Sequence, residues 1–188
     1  MTRRLFLTGP SGCGKSTLLH HALGQQLALA GGFLTERQLD AEGRYGYFYL
    51  RRTDNTGVPA IFLDLRQQPP LKNDRVFTKL AVQILQERPA FAVLDEIGGM
   101  ELLLPEFQAA LDGFLTSGTP CIGVLKGAQN SAALAKTARL PEAYQNAAAS
   151  LRARLAADPD TTLIELTGWD DPAAQATAAA WVEEYAHG

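Results

Sequence analysis

At 188 residues, with 46% hydrophobic and 20% charged content, the chain has material for a full-sized core and is most simply read as one domain over residues 1–188. A net charge of −3, with no Lys/Arg cluster longer than Arg3-Arg4 or Arg51-Arg52, gives no basic footprint for nucleic acid. No stretch nears the roughly 18 apolar residues that cross a bilayer, the run after Arg3-Arg4 is too short for a signal peptide, and Cys13 and Cys121 make no disulfide framework, so a cytoplasmic protein with no membrane partner is expected.

The first apolar run, about residues 3–8, reads as a strand. It leads into Gly9-Pro10-Ser11-Gly12-Cys13-Gly14-Lys15-Ser16, a complete match to G-x-x-x-x-G-K-[ST]. Leu19, Ala22, Leu23, Leu27 and Ala30 then recur at helical spacing, giving an apolar face to about residue 29. Three glycines let such a loop turn its N–H groups inward on phosphate oxygens, and the new helix adds unpaired N–H groups and the positive end of its dipole. Residues Gly9 to Thr17 are therefore the candidate phosphate cradle, occupied by a nucleoside triphosphate. Lys15 reaches the β- and γ-phosphates, and the Ser16 hydroxyl is a candidate ligand of Mg²⁺.

Gly31-Gly32 reads as the stop of this helix. Residues 33–39 and 44–50, separated by Asp40-Ala41-Glu42-Gly43, read as a β-hairpin, and 60–63 as a further strand. This β-rich insert, about residues 32–65, has no linker around it. Asp74 can cap a helix whose apolar face is Val76, Phe77, Leu80, Ala81, Ile84 and Leu85. Residues 91–94 read as a buried strand ending in Asp95-Glu96. Pro105 opens a helix with Phe107, Leu111, Phe114 and Leu115 inward, and residues 121–125 form a strand leading to Lys126-Gly127. Residues 131–157 are helical with a break near Pro141. Residues 163–166 are the last strand, and Pro172 opens a final helix whose Ala176, Ala179, Ala180 and Val182 are expected on the sheet. Trp169 offers a ring on which a base can stack, but a tryptophan just before a helix more often packs against the core, and it is left out of the site. This alternation predicts an α/β fold of the P-loop NTPase (RecA/ASCE-like) kind, with a mostly parallel sheet, helices on both faces and the hairpin as an insert.

The strand before Asp95-Glu96 has the form of a Walker B strand. Asp95 is expected to hold Mg²⁺ opposite Ser16, and Glu96 to orient and deprotonate the attacking water. Asp95-Glu96-Ile97-Gly98 also satisfies the D-x-x-G of small GTP switches. The guanine-reading Asn-Lys-x-Asp, however, has no counterpart in Leu125-Lys126-Gly127-Ala128.

Asp95-Glu96-Ile97-Gly98-Gly99-Met100-Glu101-Leu102, with Phe107 after it, resembles the D-E-I-G-K-M-E-L-x-x-x-x-F signature of the thermophile-type nucleoside-triphosphatases. Gly32-Phe33-Leu34-Thr35-Glu36 and Gly43-Arg44-Tyr45-Gly46-Tyr47 resemble that family's hairpin. The resemblance covers about residues 1–126. It implies a slow, Mg²⁺-dependent hydrolase of several nucleoside triphosphates, giving diphosphate and phosphate. Arg44 matches the family's hairpin Arg and would reach phosphate if the insert folds over the site. Lys126 stands where related folds place a phosphate sensor, and Glu101 matches the family's Met-Glu acid. Three departures stand out: Gly99 replaces a Lys, Leu104-Pro105 replaces a usual Ser before the helix, and Thr167-Gly168-Trp169-Asp170-Asp171 replaces an Asn-Arg pair.

Two other readings compete. A small-molecule or nucleotide kinase would need a basic lid, for which residues 127–157 offer only Lys136, Arg139, Arg152 and Arg154. A nucleotide-dependent adaptor of the transporter type would need a Ser-Gly-Gly-Gln-like signature, which the chain lacks.

Overall fold

A computed structural model describes residues 2–186. Its centre is one eight-stranded sheet of order β5-β4-β3-β2-β6-β7-β1-β8. The strands are β1 Arg4–Thr8, β2 Gly31–Leu39, β3 Tyr45–Arg52, β4 Ala60–Asp64, β5 Leu71–Lys72, β6 Ala92–Ile97, β7 Cys121–Leu125 and β8 Thr161–Glu165. From β2 through β6, β7 and β1 to β8 all pairings are parallel, and β3, β4 and β5 add on antiparallel at the β2 edge. The helices are α1 Lys15–Leu23, α2 Val82–Gln86, α3 Pro105–Thr116, α4 Ala128–Thr137, α5 Glu142–Ala157 and α6 Pro172–Tyr185.

The period-2 geometry of the strands sorts side chains to two cores. In β1, Leu5 and Leu7 join α1 and α6 on one face, while Phe6 joins α2, α3 and α5 on the other. In β6, Val93 points to the first core, and Ala92 and Leu94 to the second. Strands buried on both faces read as continuous apolar runs, which is why residues 91–94 and 121–125 show no alternation.

Several boundaries differ from expectation. The first helix stops at Gly24, whose φ is 51° and whose N–H returns to the His20 carbonyl. A 3₁₀ turn, Gly24–Leu29, covers the rest of the expected length. Gly31 and Gly32 do not end a helix; they begin β2, and its residues 31–34 pair in parallel with 92–95 of β6. Glycine is needed there for close approach: a Cβ on Gly32, at φ +103°, would stand 2.0 Å from the Val93 carbonyl oxygen. The start of β2 therefore belongs to the parallel core, and the hairpin extends from its later residues.

Asp74 makes no side-chain cap. The helical segment there starts as a π turn, Val76–Ala81, before α2, although its apolar face is buried as expected. In α6 the inward residues are Ala174, Ala178, Trp181 and Val182, and Ala176, Ala179 and Ala180 face outward. An Ala-rich helix carries little phase information, and the volume of the fully buried Trp181 sets the rotation. No helix among the described residues is long and apolar enough to cross a membrane.

Candidate active site

The loop between β1 and α1 forms because Gly9, Gly12 and Gly14 take φ of 135°, 79° and 90°, which side chains rarely adopt. It borders a groove of about 730 Å³ lined by Ser11, Gly12 and Gly14 to Thr17 on one side and by Thr35, Arg37, Glu96, Lys126 and Asn130 on others. Lys15 is 8% exposed, and its Nζ donates to the carbonyls of Gly9 at 3.1 Å and Pro10 at 2.7 Å. The ammonium is thus held at the loop's own rim. Asn130, on α4, donates to the same Gly9 carbonyl at 3.0 Å.

The carboxyl end of β6 supplies the acids. Ser16 Oγ donates to Asp95 Oδ1 at 3.1 Å, so the two expected metal ligands meet. Asp95 is 3% exposed, and burial pushes its carboxyl up to about 7; the charges of Glu96 and Glu36 add to this, and the Ser16 hydroxyl and Lys15 oppose it. A buried acid this poorly compensated suits a cation. His20, one turn along α1 from Ser16, brings its Nε2 to 3.9 Å from Asp95 Oδ2, beyond hydrogen-bond reach. That buried nitrogen has no hydrogen-bond partner among the described residues, and burial lowers the imidazole's pKa. The described residues hold no group of three His, Cys, Asp or Glu able to cage a metal. This donor set fits Mg²⁺, which takes one or two protein oxygens plus phosphates and keeps several waters.

Glu96 lies beside this pair. Lys126 Nζ donates to Glu96 Oε2 at 3.1 Å, and the Glu96 N–H donates to Thr35 Oγ1 at 3.0 Å. Both Glu96 and Lys126 line the groove, as their sequence positions lead one to expect. Arg44 does not. It sits in the hairpin turn, bonded to Asp40 and Glu42 at 3.0 Å each, with its side chain 74% exposed. The groove takes Arg37 from the hairpin instead, its Nη1 donating to the Tyr45 hydroxyl at 2.6 Å.

Thr35, Glu36, Arg37, His20 and Asn130 are groove residues that motif reading did not assign. Thr35 and Glu36 lie in the segment that resembles the family's hairpin, and His20 has the i+4 spacing from Ser16 on one helix face; Arg37 and Asn130 left no such signal. Glu36 accepts from Tyr49 and Arg51. Burial pushes its carboxyl up, but those two bonds and the Arg51 charge outweigh burial and leave it below its usual range.

Glu101 acquires a definite place. Its Oε1 accepts the N–H groups of Gly98 at 2.8 Å and Gly99 at 2.7 Å, pinning the turn after β6. Two of the four basic residues available for a kinase lid have partners away from the groove lining: Arg152 donates to Ser131 at 3.2 Å, and Arg154 forms an exposed pair with Asp112. Trp169 is not packed into the core but is 49% exposed beside Gly14.

Comparison with known proteins gives the chain a family and a fold. The family model described as NTPase matches residues 4–147. The chain is 32% identical over 146 residues to the cancer-related nucleoside-triphosphatase of Homo sapiens, covering 66% of this chain and 76% of that protein. It is 31% identical, with the same coverage, to the homologue of that protein in Bos taurus. The crystal structure of THEP1 from the hyperthermophile Aquifex aeolicus superposes with a TM-score of 0.63 at 22% identity, covering 96% of this chain and 99% of that one; at this identity the match speaks to the fold. With the family match spanning most of the chain and a relative at 32% identity, the chain belongs to the NTPase family.

Proposed function

We propose that this single-domain protein is a cytoplasmic, Mg²⁺-dependent hydrolase that converts nucleoside 5′-triphosphates to diphosphate and phosphate, slowly and with broad tolerance of the base. The observation that carries the reading is the meeting of the phosphate loop with two differently held carboxylates. Asp95 bonds to Ser16, and Glu96 faces the groove with Lys126 as its ion-pair partner.

In this reading the N–H groups of the loop and Lys15 bind the triphosphate. Lys15 exchanges its bonds to the Gly9 and Pro10 carbonyls for phosphate oxygens. Ser16 and Asp95 would hold Mg²⁺, which when bound neutralises charge on the phosphates. Glu96 orients a water in line with the γ-phosphorus and accepts its proton as the oxygen–phosphorus bond forms, and the diphosphate leaves with the bridging oxygen. Lys126 holds the Glu96 carboxylate in place and faces the terminal phosphate. No Arg stands at an assured arginine-finger position; intrinsic triphosphatases turn over at roughly 10⁻⁴–10⁻³ s⁻¹ without a finger and nearer 10⁻² s⁻¹ with one in cis, and a rate near or somewhat above the upper figure is expected.

The test is single-turnover γ-phosphate release beside nucleotide affinity for Glu96→Gln, which keeps volume and removes charge. Affinity should persist while the rate falls about 10²–10⁴-fold, the general-base range. Equal rates refute the role of Glu96, and turnover seen only with an added acceptor points to a kinase.

A further inference from the structure

The turn between β8 and α6 carries Trp169, and its geometry gives that residue a use. In the sheet, β1 lies between β7 and β8. Asp95, Glu96 and Lys126, at the carboxyl ends of β6 and β7, mark one flank of the phosphate loop as the γ-phosphate end. The other flank is β8 and its turn. A triphosphate with its terminal phosphate on the β6–β7 flank directs its sugar and base away from it, toward that turn.

The turn hugs the loop. The Leu166 N–H donates to the Thr8 carbonyl at 2.8 Å, and the Leu166 carbonyl lies where a Cβ on Gly9 would come within 2.3 Å. A Cβ on Gly14 would stand 2.5 Å from the Trp169 Cβ, so a glycine at the N-cap of α1 is what lets the tryptophan lie there. The backbone around it is fixed. Gln175 Nε2 donates to the Trp169 carbonyl at 3.0 Å, and Asp171 Oδ1 accepts from Ala173 and Ala174, capping α6. Trp169 is 49% exposed, and no aromatic ring among the described residues pairs with it. A half-exposed indole, on a backbone held against a phosphate-binding loop, is the chemical complement of a nucleobase.

We propose that Trp169 is the platform of a base subsite, stacking the purine or pyrimidine ring of the bound nucleotide on its exposed indole. The proposal rests on the triphosphate hydrolase function and adds where the base sits. Stacking requires only a π-face, so such a platform accepts every base.

The experiment uses the full-length protein with Mg²⁺ and five probes: ATP, GTP, CTP, UTP and inorganic tripolyphosphate, which has no base. Trp181 is fully buried against Phe91 and Tyr185, so iodide-quenchable fluorescence reports Trp169. All four nucleotides should shield Trp169 from iodide, and tripolyphosphate should bind without shielding it. By calorimetry, Trp169→Ala should weaken the four nucleotides by roughly 5- to 150-fold, the range for losing one base–aromatic stack. Tripolyphosphate affinity should stay within about twofold, and Trp169→Phe should restore most of the loss.

Unchanged nucleotide affinity in Trp169→Ala overturns the proposal. So does an equal loss for tripolyphosphate, which would make the indole a support for the loop through Gly14. Wild-type protein that binds neither nucleotide nor tripolyphosphate overturns the triphosphate reading and this one with it. Tripolyphosphate binding as tight as that of every nucleotide overturns the stacking alone.

Discussion

Glu101 carries the sharpest stability prediction, because its carboxylate is 6% exposed and one oxygen accepts two backbone N–H groups, from Gly98 and Gly99. Truncation in Glu101→Ala orphans both donors in a turn that is also tied down by the Tyr144 hydroxyl on the Gly98 carbonyl. A buried orphan costs about 1–3 kcal/mol, so two cost about 2–6 kcal/mol. Removing a buried charge offsets part of this, and the expected net loss is about 2–4 kcal/mol. Glu101→Gln keeps an acceptor oxygen in place and should fall within about 1 kcal/mol of wild type.

The pH dependence has a definite sign. Burial pushes the Glu101 carboxyl above its ordinary 4.5, against the pull of the Gly99 and Gly98 amides and of the Lys126 charge. The folded state therefore holds the proton more tightly than the unfolded chain, and the residue's contribution is most favourable below pH 4.5 and declines as pH rises through the shifted value. Glu101→Gln has no such slope, so the balance moves in favour of Gln as pH rises. Urea unfolding at several pH values, with γ-phosphate release at neutral pH, measures both effects. The turn comes directly after the Glu96 segment, so Glu101→Ala should also lose at least about tenfold in rate through misplacement of that carboxylate. A Glu101→Ala protein within about 0.5 kcal/mol of wild type, at full rate, would refute the pinning by its carboxylate.

Lys15→Ala should abolish turnover and weaken triphosphate binding, read by calorimetry; turnover within about twofold of wild type means the loop does not hold the phosphates. Asp95→Asn removes the charge opposite Ser16 and should raise the Mg²⁺ concentration needed for half-maximal activity at least about tenfold, whereas an unchanged Mg²⁺ titration moves the metal elsewhere. Gly32→Ala combines a strained φ with a Cβ 2.0 Å from the Val93 carbonyl and should cost more than about 1 kcal/mol in urea unfolding; a neutral result would mean that β2 and β6 separate without penalty.

What was legible in the sequence is what chemistry requires at close sequence spacing. Gly9 to Ser16 must lie on one turn to cradle phosphate, and Asp95 and Glu96 must come after an apolar strand, so both can be read without knowing what packs around them. Residues brought in by strand pairing cannot be read that way. Parallel pairing sets Leu34 opposite Asp95, which carries Thr35 to the Glu96 N–H and Glu36 and Arg37 to the groove. Nothing local to residues 33–39 encodes that register. Gly31-Gly32 misleads for a related reason: glycine serves a helix stop and a close strand contact equally well, and the deciding atom is a carbonyl of β6. Arg44 shows the converse, a residue matching a motif whose side chain satisfies Asp40 and Glu42 within its own turn. Trp169 joins the two cases. Here Gly14, placed by the needs of the phosphate loop, leaves an open shelf, so the same glycine that shapes the phosphate loop also sets the indole beside it.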